Sequence, residues 1–320
     1  MVNFTNKKVL ITGASGFIGS HLTRRMVKAN ARAAIMVRAA SDLWRIEDIR
    51  DSVAIHFADL RDQAQVENCI KETRPDYVFH LGAYGVDSRQ KDMAKAVSTN
   101  VLGTVHLINA LIQTGCDKLL NIGSCMEYGN KQEKIREDAT LHPFNIYGSS
   151  KAAATLIAHQ LASENNLPLI TLRAFGIFGE NEGSHKFFPR IILALLQGRE
   201  VNLTGCTQFR DYCYVGNLVD AFLLAAQAKS CRNEIFNIGS GTIQPLKYYV
   251  EMVYAHLKCT GRPNYGAIPY RPDEVWYPHP DISKIKTVLK WEPKVSLEDG
   301  LARTIEWYQK NLIMYHETGR

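Results

Sequence analysis

The sequence predicts an α/β fold, a doubly wound parallel sheet followed by a smaller mixed C-terminal lobe. Three observations predict it. Short apolar runs alternate with helix-spaced segments through the first half of the chain. A glycine-rich turn follows the first of these runs directly. After Phe175 the alternation breaks and prolines become frequent.

Residues 8–11 are a short apolar run that reads as the first strand, and residues 16–30 have helical spacing. Residues 33–37, 53–57 and 77–81 read as strands two to four. A long helical stretch over 93–114 precedes a fifth strand at 119–122. A second long helix over 147–164 precedes a sixth strand at 169–172. Strands separated by helices of this length imply right-handed crossovers and a parallel sheet. The near-continuous apolar character of the strands fits a sheet covered on both faces. Beyond that point, short strands at 201–203 and 235–238 sit among loops that hold Pro189, Pro245, Pro263, Pro269, Pro272, Pro278, Pro280 and Pro293. The chain therefore divides into a domain over 1–175 and a lobe over 176–320, with some crossing between the two.

Composition narrows the function classes. Of the 320 residues 46% are hydrophobic and 22% charged, an ordinary globular balance. The net charge of +6 is spread out, with no basic run that would mark a nucleic-acid tail. It suits a small anionic ligand. No apolar run approaches the roughly 20 residues that span a membrane, and nothing at the start reads as a signal peptide. The seven cysteines are odd in number and contain no CxxC pair. That pattern argues against a disulfide framework or a metal site and for reduced thiols in the cytoplasm.

The glycine turn carries the first chemical information. It runs Thr12-Gly13-Ala14-Ser15-Gly16-Phe17-Ile18-Gly19. Gly13 permits a tight turn, Gly16 lets backbone approach a pyrophosphate, and Gly19 lets helix and sheet pack closely. The helix that follows turns its amides and positive dipole end toward the phosphates. This is the dinucleotide-binding signature of a Rossmann domain, with Ser15, Phe17 and Ile18 in the same loop. Arg38 ends the second strand, where an acidic residue would hold the ribose 2′-hydroxyl of NAD. A guanidinium there suits a 2′-phosphate instead, so NADP(H) is favoured and NAD(H) stays open. Asp59 follows the third strand, at the adenosine end or as the N-cap of a helix near Asp62.

Ser124, Tyr147 and Lys151 carry the second. Ser124 lies just past the fifth strand, where open parallel sheets bind ligands. Tyr147 and Lys151 stand at i and i+4 and share one helix face. An ammonium one turn away lowers the pKa of a phenol that is otherwise near 10. Ser124 then holds the substrate oxygen for proton exchange with Tyr147.

These segments together resemble the extended short-chain dehydrogenase/reductases, the nucleotide-sugar epimerase, dehydratase and reductase group. The resemblance covers nearly the whole chain. Besides the motifs above it rests on His80-Leu81-Gly82-Ala83, Asn100-Val101-Leu102-Gly103-Thr104, Gln208-Phe209-Arg210-Asp211-Tyr212, Arg271-Pro272 and Asp281-Ile282-Ser283-Lys284. It implies an NAD(P)-dependent enzyme acting on a nucleotide-diphosphate sugar, and a homodimer built on the helices near 93–114 and 147–164. It places Leu60, Leu81, Ala83 and Asn100 beside the cofactor, and Arg210 and Arg271 on the diphosphate. The stretch from His185 to Arg190 resembles substrate-lobe material.

The residues after Ser124 bear on the reaction. Dehydratases of the group carry an acidic pair there, which protonates one hydroxyl and removes one C–H proton. Here the two positions are Cys125 and Met126. Glu127 comes one place later and, on an extended segment, points the other way. All three are candidate substrate contacts, with Glu127 also able to be a salt-bridged structural carboxylate. Gly176 replaces an asparagine common in the dehydratases and epimerases. The reading that follows is reduction of a 4-keto-6-deoxyhexose nucleotide, with 4-epimerisation or an atypical dehydratase as alternatives.

Overall fold

The computed structural model describes residues 3–317 apart from Ser88, with side chains through Tyr315. Its centre is a parallel sheet of seven strands. Six come from the first half: β1 Lys8–Thr12, β2 Arg32–Val37, β3 Ala54–Phe57, β4 Tyr77–His80, β5 Lys118–Ser124 and β6 Leu169–Ala174. Between them lie α1 Phe17–Lys28, α2 Gln63–Thr73, α3 Met93–Ala96, α4 Gly103–Thr114 and α5 Ile146–Glu164. A π-helical turn at Val97–Leu102 joins α3 to α4, so the long helix read over 93–114 is continuous but widened at Asn100.

Alternate residues of the inner strands enter different cores, which is why these strands read as unbroken apolar runs. Val9, Ile11, Ile35, Phe79 and Leu120 pack on one face, with Leu22 and Met26 of α1. Leu10, Met36, Val78, Leu119 and Leu169 pack on the other, with Leu107, Leu111, Ala158 and Ala162 of α4 and α5.

The second half begins with short strands β7 Gly176–Phe178, β8 Asn202–Leu203, β9 Phe209–Arg210 and β10 Tyr212–Tyr214, with α6 Phe187–Leu196 among them. The chain then returns to the main sheet. Helix α7 Val215–Gln227 supplies Leu218, Val219, Phe222 and Ala226 to the first core. Strand β11 Glu234–Ile238 pairs parallel with β6, Leu172 opposite Phe236. The sheet order is therefore β11-β6-β5-β4-β1-β2-β3. This corrects the assignment of residues 235–238 to the C-terminal lobe: they form the seventh strand of the sheet.

The remaining elements are β12 Gln244–Pro245, α8 Leu246–His256, β13 Asn264–Tyr265, α9 Ser283–Val288, α10 Leu297–Lys310 and α11 Leu312–Glu317. The lobe has its own core, in which Phe178, Phe188, Ile192, Tyr249, Val253, Ile305 and Tyr308 are buried. All seven cysteines are free thiols. Among the described residues no helix is long and apolar enough to cross a membrane, and no cluster could hold a metal.

Candidate active site

A cavity of about 780 Å³ lies over the carboxyl ends of the strands, between sheet and lobe. At one end is the turn from β1 into α1. Gly13 has φ +71°, and a Cβ there would lie 2.6 Å from the backbone of Leu81 and Gly82. A Cβ on Gly19 would lie 2.1 Å from the Gly13 carbonyl oxygen. No side chain caps α1. The first-turn amides of Phe17, Ile18 and Gly19 therefore stand at the cavity wall, with Ser15 and Gly16 beside them. That cradle fits the pyrophosphate of a dinucleotide.

The adenosine end would lie near Arg38, Ser41, Asp59, Leu60 and Arg61, which all line the cavity. Arg38 is exposed, and its backbone N–H donates to Ser41 Oγ at 3.1 Å. Arg61 grips Asp59 with two parallel bonds, Nε to Oδ1 at 3.0 Å and Nη2 to Oδ2 at 2.6 Å. Those bonds hold the Asp59 carboxyl below its ordinary range. Asp59 is not the cap of α2; Asp62 is, accepting from the Gln65 N–H at 3.1 Å. Leu60 fills the space beside Gly82 and Gly103, where added Cβ atoms would meet it at 2.8 and 2.9 Å. Leu81 and Ala83 line the cavity next to it.

Asn100 does not reach this cavity. It is buried, and its amide is fully used. Oδ1 accepts from the Tyr84 N–H at 2.7 Å, while Nδ2 donates to the Tyr84 carbonyl and to Ser150 Oγ. It ties the loop after β4 to α5.

Ser124, Cys125, Met126 and Tyr147 meet on the facing wall. Ser124 ends β5, and its Oγ accepts the Met126 N–H at 3.2 Å. Tyr147 sits in the first turn of α5, whose start is capped by Asn145 accepting from the Gly148 N–H at 2.8 Å. The Ser124 hydroxyl bonds the Tyr147 phenol and favours its ionised form, but burial outweighs this and raises the phenol above its ordinary value. Burial likewise lowers Lys151, which is only 2% exposed. The expected lowering of Tyr147 by Lys151 is not seen: the only group that lowers the phenol is the Ser124 hydroxyl. The phenol is held protonated, the form that donates.

Glu127 departs from its expected placement. Residues Cys125–Glu127 form a single 3₁₀ turn, not an extended segment. The turn buries Glu127 completely. Its Oε1 accepts the Ser124 N–H at 2.7 Å and its Oε2 accepts Arg173 Nε at 2.8 Å. Arg173 also donates to the Tyr128 hydroxyl, which donates to Asn237 Oδ1. Glu127 thus holds the serine turn and is closed off from substrate. The Cys125 thiol is pushed up to about 12 by burial, and Met126 has no proton to exchange.

Arg210 and Arg271 do not line the cavity either. Arg210 is paired with Glu274, and its Nη1 donates to the Phe209 carbonyl at 2.6 Å. Arg271 is exposed on the lobe surface. The lobe instead contributes Glu182, His185 and Lys186, and Arg45 joins them from the segment after β2. The Glu182 carboxyl is pushed up to about 8 by burial. Lys186 is lowered by burial and donates to the Val86 carbonyl at 2.9 Å. Glu182 and Arg45 had no sequence signal, since neither belongs to a recognisable motif.

Comparisons with known proteins identify the family and the fold. A sequence model of the NAD dependent epimerase/dehydratase family matches residues 9–239. The dTDP-D-glucose 4,6-dehydratase of Mus musculus is 28% identical over 95% of this chain and 89% of its own. The UDP-glucose 4-epimerase of Thermotoga maritima, solved with UDP-glucose, superposes with a TM-score of 0.87 at 28% identity, over 95% of this chain and 99% of that one. The dTDP-glucose 4,6-dehydratase of Bacillus anthracis, solved with NAD, superposes with a TM-score of 0.85 at 25% identity, over 96% and 97%. The chain therefore belongs to the NAD dependent epimerase/dehydratase family and is an enzyme of the extended short-chain dehydrogenase/reductase type.

Proposed function

We propose that this enzyme reduces a 4-keto-6-deoxyhexose carried on a nucleoside diphosphate, using NADPH. One observation carries the choice of reaction. Beside Ser124 and Tyr147 the cavity wall holds Cys125 and Met126, where elimination needs an acid and a base. A thiol near 12 and a thioether supply neither, and Glu127 is locked to Arg173. Ketone reduction needs one proton donor only. Tyr147 is that donor, held protonated by burial and aligned by Ser124. A bound nicotinamide supplies the hydride. Lys151, buried beneath, stabilises the phenolate left after proton transfer.

Arg38 supports NADPH over NADH. It lines the cavity at the end of β2, while the nearby Asp59 is neutralised by Arg61. A 2′-phosphate there would meet a guanidinium free to bind it bidentately. The 4-epimerase reading is the second one, because it uses the same Ser124–Tyr147–Lys151 set and a relative of that activity shares the fold.

The chain also presents apolar side chains on adjoining helices. Met93, Val97 and Leu102 on one and Leu156 and Ile157 on α5 are all exposed. A second copy covering them would give the homodimer that the resemblance implies.

The test is a panel of nucleotide sugars and their 4-keto derivatives with NADH or NADPH. Stoichiometric NADPH oxidation by a 4-keto substrate is expected. Interconversion of 4-epimers without net cofactor turnover would replace reduction by epimerisation.

A further inference from the structure

The loop that leaves β4 lies against the side chain of Tyr147. Gly85 in this loop is buried and has φ +95°, in the left-handed region that favours glycine. A Cβ added there would lie 3.3 Å from both Cβ and Cδ2 of Tyr147 and 3.7 Å from its Cα. At 3.3 Å the ring or the loop would have to give by a few tenths of an ångström. Glycine is therefore needed twice at this position, for its backbone angle and for the ring beside it.

The loop is fastened on both sides of Gly85. Before it, the Tyr84 N–H donates to Asn100 Oδ1 at 2.7 Å, and the Tyr84 carbonyl accepts Asn100 Nδ2 at 2.9 Å. After it, the Val86 carbonyl accepts Lys186 Nζ from the lobe at 2.9 Å, and Asp87 stands 3.7 Å from His185. The Gly85 N–H donates to Gln90 Oε1 at 2.8 Å. Gln90 is exposed, yet its side chain turns back to serve this buried amide. Its own N–H donates to the Asp87 carbonyl at 2.9 Å. A buried N–H without an acceptor is costly, so Gln90 is what completes this conformation of the loop.

Tyr147 is held from the other direction by its helix. Asn145 caps the start of α5, and the Tyr147 carbonyl accepts the Ser150 hydroxyl at 3.0 Å. These bonds fix the backbone and leave rotation about Cα–Cβ to be set by neighbours. Gly85 closes the space on one side of the ring, and the Ser124 hydroxyl bonds the phenol at its tip.

We propose that Gly85 and Gln90 are positioning residues that hold the Tyr147 ring so that its phenol meets Ser124 and the substrate oxygen. Gln90 sets the Gly85 backbone, and Gly85 sets the ring. The proposal rests on the reading that Tyr147 transfers the proton in each turnover. Proton transfer needs the two oxygens within hydrogen-bond reach, so a small displacement of the ring slows it while leaving ligand binding alone.

The test sets Gly85→Ala beside Gly115→Ala, and Gln90→Leu beside Gln90→Glu. Gly115 has φ +76°, and a Cβ there meets nothing within 4 Å among the described residues. Its alanine variant therefore carries backbone strain without a crowded ring. Glutamate keeps the acceptor for the Gly85 N–H, and leucine removes it. The assay is NADPH oxidation by a 4-keto-6-deoxy nucleotide sugar in H₂O and D₂O. Gly85→Ala and Gln90→Leu are expected to lose roughly tenfold in kcat, with KM unchanged and a larger solvent isotope effect. Gly115→Ala and Gln90→Glu keep the wild-type kcat and isotope effect. Wild-type values in Gln90→Leu, or equal losses in the two alanine variants, would overturn the proposal. If Gly85→Ala does not fold, the Gln90 pair decides, since that side chain is exposed. If no substrate oxidises NADPH in the wild type, the reductase reading fails, and a crystal structure of Gln90→Leu decides the positioning by itself. A Tyr147 ring moved away from Ser124 is expected there, and an unmoved ring would overturn it.

Discussion

Glu127→Gln removes one charge from a pair that water does not reach. Glu127 is 0% exposed and Arg173 2% exposed, with Nε to Oε2 at 2.8 Å. An amide that keeps its oxygen for the Ser124 N–H turns its NH2 donor toward the guanidinium. A buried charge stripped of its partner costs about 3–5 kcal/mol. Tyr128 still accepts from Arg173 and stacks 4.6 Å from it, which softens the loss without restoring charge balance. We expect a destabilisation near the lower end of that range, read as a shift of the urea midpoint at constant slope. Adding Arg173→Met removes the orphaned charge, so the double variant loses less than the sum of the two singles. A glutamine variant of wild-type stability whose only defect is catalytic would refute the reasoning. Glu127 would then be an acid–base residue and the dehydratase reading would revive.

Three further outcomes follow from the site. Tyr147→Phe keeps the ring and removes the proton donor, so kcat falls by about 10²–10⁴ with nucleotide-sugar affinity retained, as checked by steady-state kinetics and calorimetry. Arg38→Ala weakens NADPH binding and leaves NADH nearly unchanged, shown by fluorescence titration of the two cofactors; equal losses for both would remove the 2′-phosphate role. His80 is lowered to about 3 by burial. Its folded value is below its unfolded one, so the stability it contributes is present above about 6.5 and is lost as pH falls toward 3. His80→Gln flattens the acid limb of a stability–pH curve by up to about 1.4 kcal/mol per pH unit in that window.

Much of this molecule is legible locally. Most strands from Lys8 to Ala174 announce themselves because they are buried on both faces, the edge strand β3 excepted, and the cradle because only glycine fits contacts of 2.6 Å at Gly13 and 2.1 Å at Gly19. Ser124, Tyr147 and Lys151 are legible because helical spacing and a strand end suffice to join them. What is not legible depends on distant partners. Strand β11 belongs to the sheet through pairing with residues some 60 positions earlier. Arg210 looks like a phosphate ligand until Glu274 is brought against it. Glu127 was placed by assuming an extended segment, and the capping of a turn by its own carboxylate reversed that. Asn100 lies in a segment that carries the family resemblance, yet its amide is spent on Tyr84 and Ser150.

The most direct measurement follows the hydrogen itself. Incubating the enzyme with NADPH deuterated at the transferred position and a 4-keto-6-deoxy nucleotide sugar, then reading the product by mass spectrometry and NMR, locates the hydride. Reduction predicts one deuterium at sugar C4, one NADP⁺ per product and no loss of water from any hydroxylated nucleotide sugar. Conversion of a 6-hydroxy nucleotide sugar to its 4-keto-6-deoxy form, with hydrogen moving from C4 to C6, would contradict the account.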